Sequence, residues 1–228
     1  MSVTKLTTGK IRQGWKKELT KRGFRLEGPS FVRERGVLRQ VIGVQRNMLS
    51  PRWKTNLFIE IIDQFREPPE PTICLHGNVT LDDARFFEKD GSWWTEDLLP
   101  GRLDAIVQFG VPWLDDFASP AKLIGLFEKA VEQCARAESL LEPLQNQEFH
   151  WPKWIKTAYE SPPSPPRPAP MYFYLLSLLY YATGNFERGC DRATIWLDHA
   201  RDGRTPGEPA RTLRLMADMG CKNENPSR

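Results

Sequence analysis

Residues 30–45 read Ser-Phe-Val-Arg-Glu-Arg-Gly-Val-Leu-Arg-Gln-Val-Ile-Gly-Val-Gln, and this stretch decides the fold class. Phe31, Arg33 and Arg35 alternate with Val32 and Glu34, which is the period of a β-strand. Arg35-Gly36 can form a tight turn, and a second strand follows over residues 37–45. The stretch therefore predicts two neighbouring antiparallel strands.

The chain on either side extends this pattern. Ile11, Trp15 and Leu19 recur every four residues with Lys and Arg between them, which predicts an amphipathic helix that ends at Gly23. Further apolar alternation follows the connection at residues 47–52. The predicted elements are a helix over residues 4–22 and strands over 31–35, 37–45, 53–62 and, as an edge strand, 73–79.

Helical patterns dominate the rest of the chain. Ser119-Pro120 is a strong helix start, and residues 161–170 contain six prolines, which favour an extended linker. Gly184-Asn185 joins two helices in a hairpin that resembles one tetratricopeptide repeat unit, without a second copy. The predicted helices cover residues 103–109 (ended by Gly110 and Pro112), 120–141, 171–183, 186–201 and 206–220.

These elements predict an α+β fold: an N-terminal helix on a mostly antiparallel β-meander with further helices, followed by a C-terminal α-helical hairpin. The predicted divisions are an α+β domain (1–145), a connector with the Pro-rich linker (146–170), a helical hairpin region (171–220) and a tail (221–228).

Composition predicts a cytoplasmic protein. The 228 residues are 40% hydrophobic and 27% charged, as in ordinary globular proteins. The N-terminus lacks the apolar run of a signal peptide, and the longest apolar stretch is too short to span a bilayer, so we expect no membrane association. The four cysteines are far apart in sequence and are expected to be free thiols of a reducing compartment, with one structural disulfide as the alternative.

Charge is distributed very unevenly along the chain. Residues 1–56 carry 14 positive and 3 negative side chains, whereas residues 57–150 carry 7 positive and 18 negative. Such asymmetry concerns the surfaces that meet partners, so it points to binding rather than to chemistry.

No residue pattern predicts a reaction. His76, His150 and His199 each lack a second His or Cys at metal-ligand spacing, and the pairs Asp82-Asp83 and Asp115-Asp116 lack further oxygen ligands. Phosphate-binding, dinucleotide-binding and nucleophile-elbow motifs are absent from the sequence. We therefore predict a protein that is not an enzyme and has no catalytic, cofactor-binding or metal-binding residues.

The acidic middle of the chain also contains several Phe and Trp residues. An aromatic anchor with a carboxylate rim suits a basic protein surface, and core packing with solvated loops is the equally weighted alternative. The predicted protein-binding residues are Asp82, Asp83, Phe86, Phe87, Asp90, Trp93, Trp94, Glu96 and Asp97.

The basic segment offers a different function. Clustered Lys and Arg side chains can contact nucleic-acid phosphates, although a solvated helix face and sheet arginines paired with acids are favoured over that function. The residues concerned are Lys10, Arg12, Lys16, Lys17, Lys21 and Arg22 on the helix, and Arg25, Arg33, Arg35, Arg39, Arg46, Arg52 and Lys54 on the strands.

The order of several short motifs resembles the bacterial domain of unknown function 4304 over about residues 5–120. The motifs are Lys21-Arg22-Gly23-Phe24-Arg25, Phe31-Val32-Arg33, residues 41–46 (Val-Ile-Gly-Val-Gln-Arg), residues 56–59 (Asn-Leu-Phe-Ile), Trp93-Trp94 and residues 110–114 (Gly-Val-Pro-Trp-Leu). The resemblance implies a small α+β domain without agreed functional residues, with some members in gene neighbourhoods typical of toxin–immunity systems. We therefore expect a cytosolic protein-binding protein, for example an immunity protein that occludes a toxin, with nucleic-acid binding as the alternative.

Overall fold

A computed structural model describes residues 7–79, 93–95, 99–136, 155–157, 169–201 and 208–221. Its elements are helices α1 (Thr8–Thr20), α2 (Leu99–Ala105), α3 (Val111–Asp116), α4 (Pro120–Arg136), α5 (Ala169–Ala182), α6 (Phe186–Arg201) and α7 (Glu208–Asp218), and strands β1 (Arg25–Glu27), β2 (Ser30–Arg35), β3 (Leu38–Arg46), β4 (Trp53–Asp63), β5 (Glu70–Val79), β6 (Trp93–Trp94) and β7 (Ile155–Thr157). The predicted α+β class is confirmed. None of the helices within these ranges is both long and apolar enough to cross a bilayer.

Helix α1 forms because its apolar residues lie on one stripe and both ends are capped. Ile11, Trp15 and Leu19 are buried. At the start, the Thr7 hydroxyl accepts a hydrogen bond from the Lys10 amide at 3.3 Å. At the end, Gly23 takes the left-handed conformation (φ 82°) predicted for it.

The strands form one seven-stranded sheet in the order β1-β2-β3-β4-β5-β7, with β6 paired to β4. Gly36 (φ 60°) turns β2 into β3, and the register pairs Phe31 with Ile42 and Arg33 with Gln40. Residues paired across an antiparallel ladder lie on the same face of the sheet. The apolar pair Phe31–Ile42 and the polar pair Arg33–Gln40 therefore share one face, which also includes Leu38. The four predicted strands match β2 to β5, whereas β1, β6 and β7 are too short for their pattern to stand out. The prediction that residues 73–79 form an edge strand is wrong, because β7 pairs with the end of β5 on the side away from β4.

The predicted helix end at Gly110 is wrong. Helix α2 is followed by a π-helical turn (Ile106–Gly110), and α3 continues directly with Pro112 in its first turn. Proline is tolerated there because the first amides of a helix lack an intrahelical acceptor. Ile106, Trp113 and Leu114 are buried, so packing holds the irregular segment.

The chain divides into two compact units. The first comprises Met1–Glu60, Ile73–Ser119 and Gln147–Ser164, and the second comprises Ile61–Thr72, Pro120–Asn146 and Pro165–Arg228. This division differs from the predicted domains because α4 groups with α5, α6 and α7. The Phe127 ring stacks on Tyr172 at 5.5 Å between centroids, and the Glu128 carboxylate accepts hydrogen bonds from Tyr180 and Arg192.

The second unit contains the predicted helical hairpin. Gly184 (φ 75°) ends α5 in the left-handed conformation, and Asn185 donates its amide to the Tyr180 carbonyl before α6 begins. Every residue of α5 from Tyr174 to Tyr180 is buried, so α5 is the central helix of this unit. The final predicted helix is α7.

Cys190 and Cys221 form a disulfide, so the expectation of free thiols is wrong for this pair. Helix α6 and the end of α7 approach so closely that a Cβ on Gly189 would lie 2.5 Å from the Met219 sulfur. This packing brings together two cysteines that are 31 positions apart. Disulfides are rare in reducing compartments, and the bond therefore does not fit the compartment expected from the sequence.

We expect the Cys190→Ser/Cys221→Ser variant to lose about 3 kcal/mol of unfolding free energy, because the bond restricts the unfolded chain. Denaturant unfolding with and without dithiothreitol measures this loss. The reductant should destabilise the natural protein and leave the variant unchanged. Equal stability of the natural protein in both conditions would contradict the prediction.

Candidate functional site

The structure places only part of the predicted protein-binding cluster. Trp93 and Trp94 form β6, and their backbones pair with Lys54 and Trp53 at the start of β4. The other predicted residues lie outside the part of the chain that the structure describes: Asp82, Asp83, Phe86, Phe87, Asp90, Glu96 and Asp97.

The start of β4 adjoins the turn between β3 and β4. Within this turn, the Asn47 amide donates to the Arg52 carbonyl at 2.8 Å, and the Arg52 amide donates to the Ser50 carbonyl at 2.8 Å. The Asn47 side-chain oxygen accepts from the Leu49 amide, also at 2.8 Å. Side-chain bonds of this kind favour a defined turn, so the residues between Asn47 and Arg52 have a fixed backbone.

The Asn47–Arg52 turn exposes two apolar side chains almost completely. Met48 is 99% exposed and Leu49 97%, whereas the other exposed large apolar residues in the described part of the chain reach only 37–44%. A single exposed apolar residue needs no explanation, but two adjacent ones on a turn with a fixed backbone form a surface that a partner can cover. The sequence predicted residues 47–52 only as a connection, because an apolar pair in a turn does not by itself indicate exposure.

Cations flank the turn on both sides. Arg46 is the exposed last residue of β3, and Arg52 and Lys54 follow the apolar pair with intermediate exposure. Residues 46–54 contain no acidic side chain. The turn, its three flanking cations and the adjacent β6 together form what we name the tip site.

Arg33 belongs to the basic segment but is not available to a partner. Its guanidinium donates to Asp115 Oδ1 at 2.5 Å, to Gln40 Oε1 at 2.7 Å and to the Arg22 carbonyl at 2.9 Å. It also lies 4.3 Å from the centre of the Phe24 ring. Burial lowers the pKa of Arg33, and the nearby Asp115 carboxylate opposes that shift.

Other cations of the basic segment are paired on the opposite face of the sheet. Arg39 lies 2.7 Å from Glu27, 3.5 Å from Glu34 and 3.7 Å from Glu60, and Arg25 contacts Glu27 and Glu34. Burial raises the pKa of Glu60, while Arg39 lowers it. These arginines match the predicted alternative of sheet arginines paired with acids.

Part of the positive charge of helix α1 is exposed to solvent. Glu18 forms ion pairs with Lys21 and Arg22, whose hydrogen bonds lower the pKa of that carboxyl. Lys16 and Lys17 are exposed. The helix therefore presents some cations to solvent, but the strands present fewer than the sequence alone indicates.

Some of the residues considered as catalytic or metal-binding candidates lie in the described part of the chain, and these are not grouped into a reactive centre. Asp115 binds Arg33, and Arg35 lies 3.8 Å from the same oxygen. His76 lies on β5 and His199 on α6, and for both the structure describes the backbone only. His150 lies outside the described ranges. In the described part of the chain, no three His, Cys, Asp or Glu side chains are grouped to hold a metal ion.

Another buried polar cluster, which the sequence did not reveal, lies in the second unit. The Asp63 carboxylate, fully buried, accepts hydrogen bonds from the Tyr174 hydroxyl at 2.9 Å and the Phe65 amide at 3.1 Å. Arg211 Nη1 lies 3.2 Å from the same carboxylate, and its guanidinium is 4.1 Å from the Tyr174 ring centre. Through these contacts the cluster holds α5 and α7 to the chain at Asp63.

Comparisons of this chain with protein-family models, curated proteins and solved structures find no match.

Proposed function

We propose that this chain is a non-enzymatic binding protein that holds a protein partner at the tip site. The observation that carries the proposal is the nearly complete exposure of Met48 and Leu49 on a turn whose backbone is fixed by hydrogen bonds. Burying one such side chain contributes about 1.5–3 kcal/mol to association. A turn that is already ordered also loses little conformational entropy on binding.

The surroundings of the turn support a protein as the partner. Methionine and arginine are enriched in protein interfaces, and both occur here, as Met48, Arg46 and Arg52. Trp93 and Trp94, which belong to the predicted binding cluster, pair with β4 beside the turn. A toxin inhibited by occlusion is the partner that the family resemblance predicts.

Nucleic acid is the alternative partner, and the ion pairs of the basic segment support it less. Arg33 is buried, and Arg25 and Arg39 already contact carboxylates. Phosphate binding depends on the number of cations that can release counterions, so each paired arginine weakens that function.

Site-specific photo-crosslinking in the native host tests the proposal. A photoreactive residue at Ser50 should give a discrete protein adduct, which Met48→Ser/Leu49→Ser should abolish because the apolar anchors are lost. The same residue at Val37, in the β2–β3 turn at the other end of β3, is the control and should give no such adduct. The partner thus identified should bind the purified double variant at least about tenfold more weakly than the natural protein. An adduct at Ser50 that survives the double substitution would overturn the proposal.

A further inference from the structure

Met48 differs in exposure from the other methionines whose side chains the structure describes. It is 99% exposed, whereas Met216 and Met219, in and just after α7, are 7% and 6% exposed. An oxidant in solution reaches an exposed thioether and converts it to a polar sulfoxide, whereas a buried sulfur atom is shielded. We infer that Met48 is a reversible oxidation site whose sulfoxide releases the partner held at the tip site. The release rests on the proposed function, whereas the selective oxidation does not.

Oxidation of Met48 by a peroxide is a balanced transfer of one oxygen atom. The thioether sulfur attacks a peroxide oxygen, so that an S–O bond forms and the O–O bond breaks. The sulfur loses two electrons, and the displaced hydroxide takes the proton of the transferred hydroxyl and leaves as water. In the reverse direction, a reductase that a dithiol recharges restores the thioether. The oxygen then leaves as water, and the dithiol becomes a disulfide.

The fold tolerates a sulfoxide at this position. The turn around Met48 is held by hydrogen bonds that join atoms of Asn47, Leu49, Ser50 and Arg52. A side chain that is almost fully exposed gains an oxygen atom without losing packing contacts. Oxidation of a buried methionine, in contrast, puts a polar group into the core. The Met48 sulfoxide therefore changes the surface of the tip site and leaves the fold intact.

The sulfoxide opposes binding at the position of the proposed anchor. An apolar side chain gains affinity by leaving water, whereas a sulfoxide oxygen that is buried without a hydrogen-bond donor costs free energy. Leu49 has no sulfur and stays apolar. One added oxygen atom thus removes one of the two apolar anchors of the turn.

A second feature of the chain indicates oxidising surroundings. Cys190 and Cys221 form a disulfide, which requires that two thiols lose two electrons. Disulfides form and persist in oxidising surroundings, in which methionine sulfoxide also forms. Cys74 is a free thiol, but it is buried. Among the side chains that the structure describes, Met48 is thus the exposed sulfur atom that is still in its reduced form.

Peptide mapping by mass spectrometry tests the site after the purified, full chain has been exposed to hydrogen peroxide. Met48 should form sulfoxide at least about tenfold faster than Met216 and Met219, in line with their exposure. Circular dichroism and denaturant unfolding should not distinguish a sample oxidised at Met48 from an untreated one. Equal rates at the three methionines, or loss of structure as Met48 reacts, would rule out the inference.

The photoreactive residue at Ser50 measures the effect on binding. The purified chain is oxidised, freed of peroxide and irradiated in a lysate of the native host. The yield of the protein adduct should fall at least about tenfold after oxidation. Treatment with methionine sulfoxide reductases for both epimers, recharged by a dithiol, should restore the yield. The dithiol alone, which also reduces the Cys190–Cys221 disulfide, should not restore it.

The Met48→Leu variant is the matched control for peroxide damage elsewhere. It keeps every other oxidisable residue, and its adduct yield is compared with and without peroxide. The yield should change less than about twofold, because leucine cannot form a sulfoxide. If Met48→Leu gives too little adduct for this comparison, recovery by the reductases decides the question in the natural sequence.

Other outcomes separate the inference from the proposed function. An adduct at Ser50 that survives complete oxidation of Met48 would overturn the inference and leave binding at the tip site intact. A loss of adduct in peroxide-treated Met48→Leu would do the same, because another residue is then responsible. If no adduct forms before oxidation, the proposed function fails and the inferred release fails with it, whereas the peptide map still decides whether Met48 is the oxidation site.

Discussion

Replacing Asp63 with alanine is expected to lower the free energy of unfolding by about 3–5 kcal/mol, the cost of breaking a buried ion pair from one side. Asp63 is fully buried, and the substitution leaves the guanidinium of Arg211 without the carboxylate that lies 3.2 Å away. It also leaves the buried hydroxyl of Tyr174 without its acceptor. Chemical denaturation followed by circular dichroism measures the loss.

The same unit contains a matched control for Asp63. Glu67 pairs with Arg214, so both acids come from the Ile61–Thr72 segment and both arginines from α7. Glu67, however, is 79% exposed at its side chain. Exposed ion pairs contribute about 0–1 kcal/mol, so Glu67→Ala should have a small effect. Double-mutant cycles with Arg211→Met and Arg214→Met compare the two pairs directly. Equal coupling energies would contradict the burial argument.

Local patterns in the sequence predicted most of the secondary structure. Ile11, Trp15 and Leu19 are spaced for one helix face, and the alternation around Phe31 and Ile42 is a property of neighbouring residues. Gly23 and Gly184 also act locally, because their left-handed conformations end the preceding helices. Such features depend on a few consecutive residues, which explains why the α+β class could be predicted.

Features that depend on distant residues could not be predicted in this way. Cys190 and Cys221 meet only because α6 and α7 pack together. Asp63 ends a strand pattern, where a polar residue usually faces solvent, and nothing near it in sequence indicates Tyr174 or Arg211. The exposure of Met48 and Leu49 is equally invisible, since an apolar pair in a turn is as compatible with burial as with solvent.

The contacts of Arg33 also depend on distant residues, and its substitution is expected to have a large effect on stability. Its partner Asp115 is 82 positions away, in a carboxylate pair that the sequence analysis rejected as a metal site because it lacks further oxygen ligands. In the folded chain, Arg33 connects β2 to α3 through Asp115 and to the end of α1 through the Arg22 carbonyl. Gln40, which accepts from Arg33, also donates to the Leu114 carbonyl. One guanidinium thus ties together three elements of the first unit.

Arg33→Met is therefore expected to lower the free energy of unfolding by about 3 kcal/mol, because it keeps the apolar length and leaves buried acceptors without a donor. Arg33→Lys should recover only part of this loss, since an ammonium cannot reach three acceptors in the plane of a guanidinium. Arg35→Met is the matched control: Arg35 lies 3.8 Å from the same Asp115 oxygen, but its side chain is 47% exposed against 6% for Arg33. Its cost should stay below about 0.5 kcal/mol, as for other surface substitutions. Denaturant unfolding followed by tryptophan fluorescence compares the three variants. If Arg33→Met costs no more than Arg35→Met, the buried guanidinium is not what holds β2, α1 and α3 together.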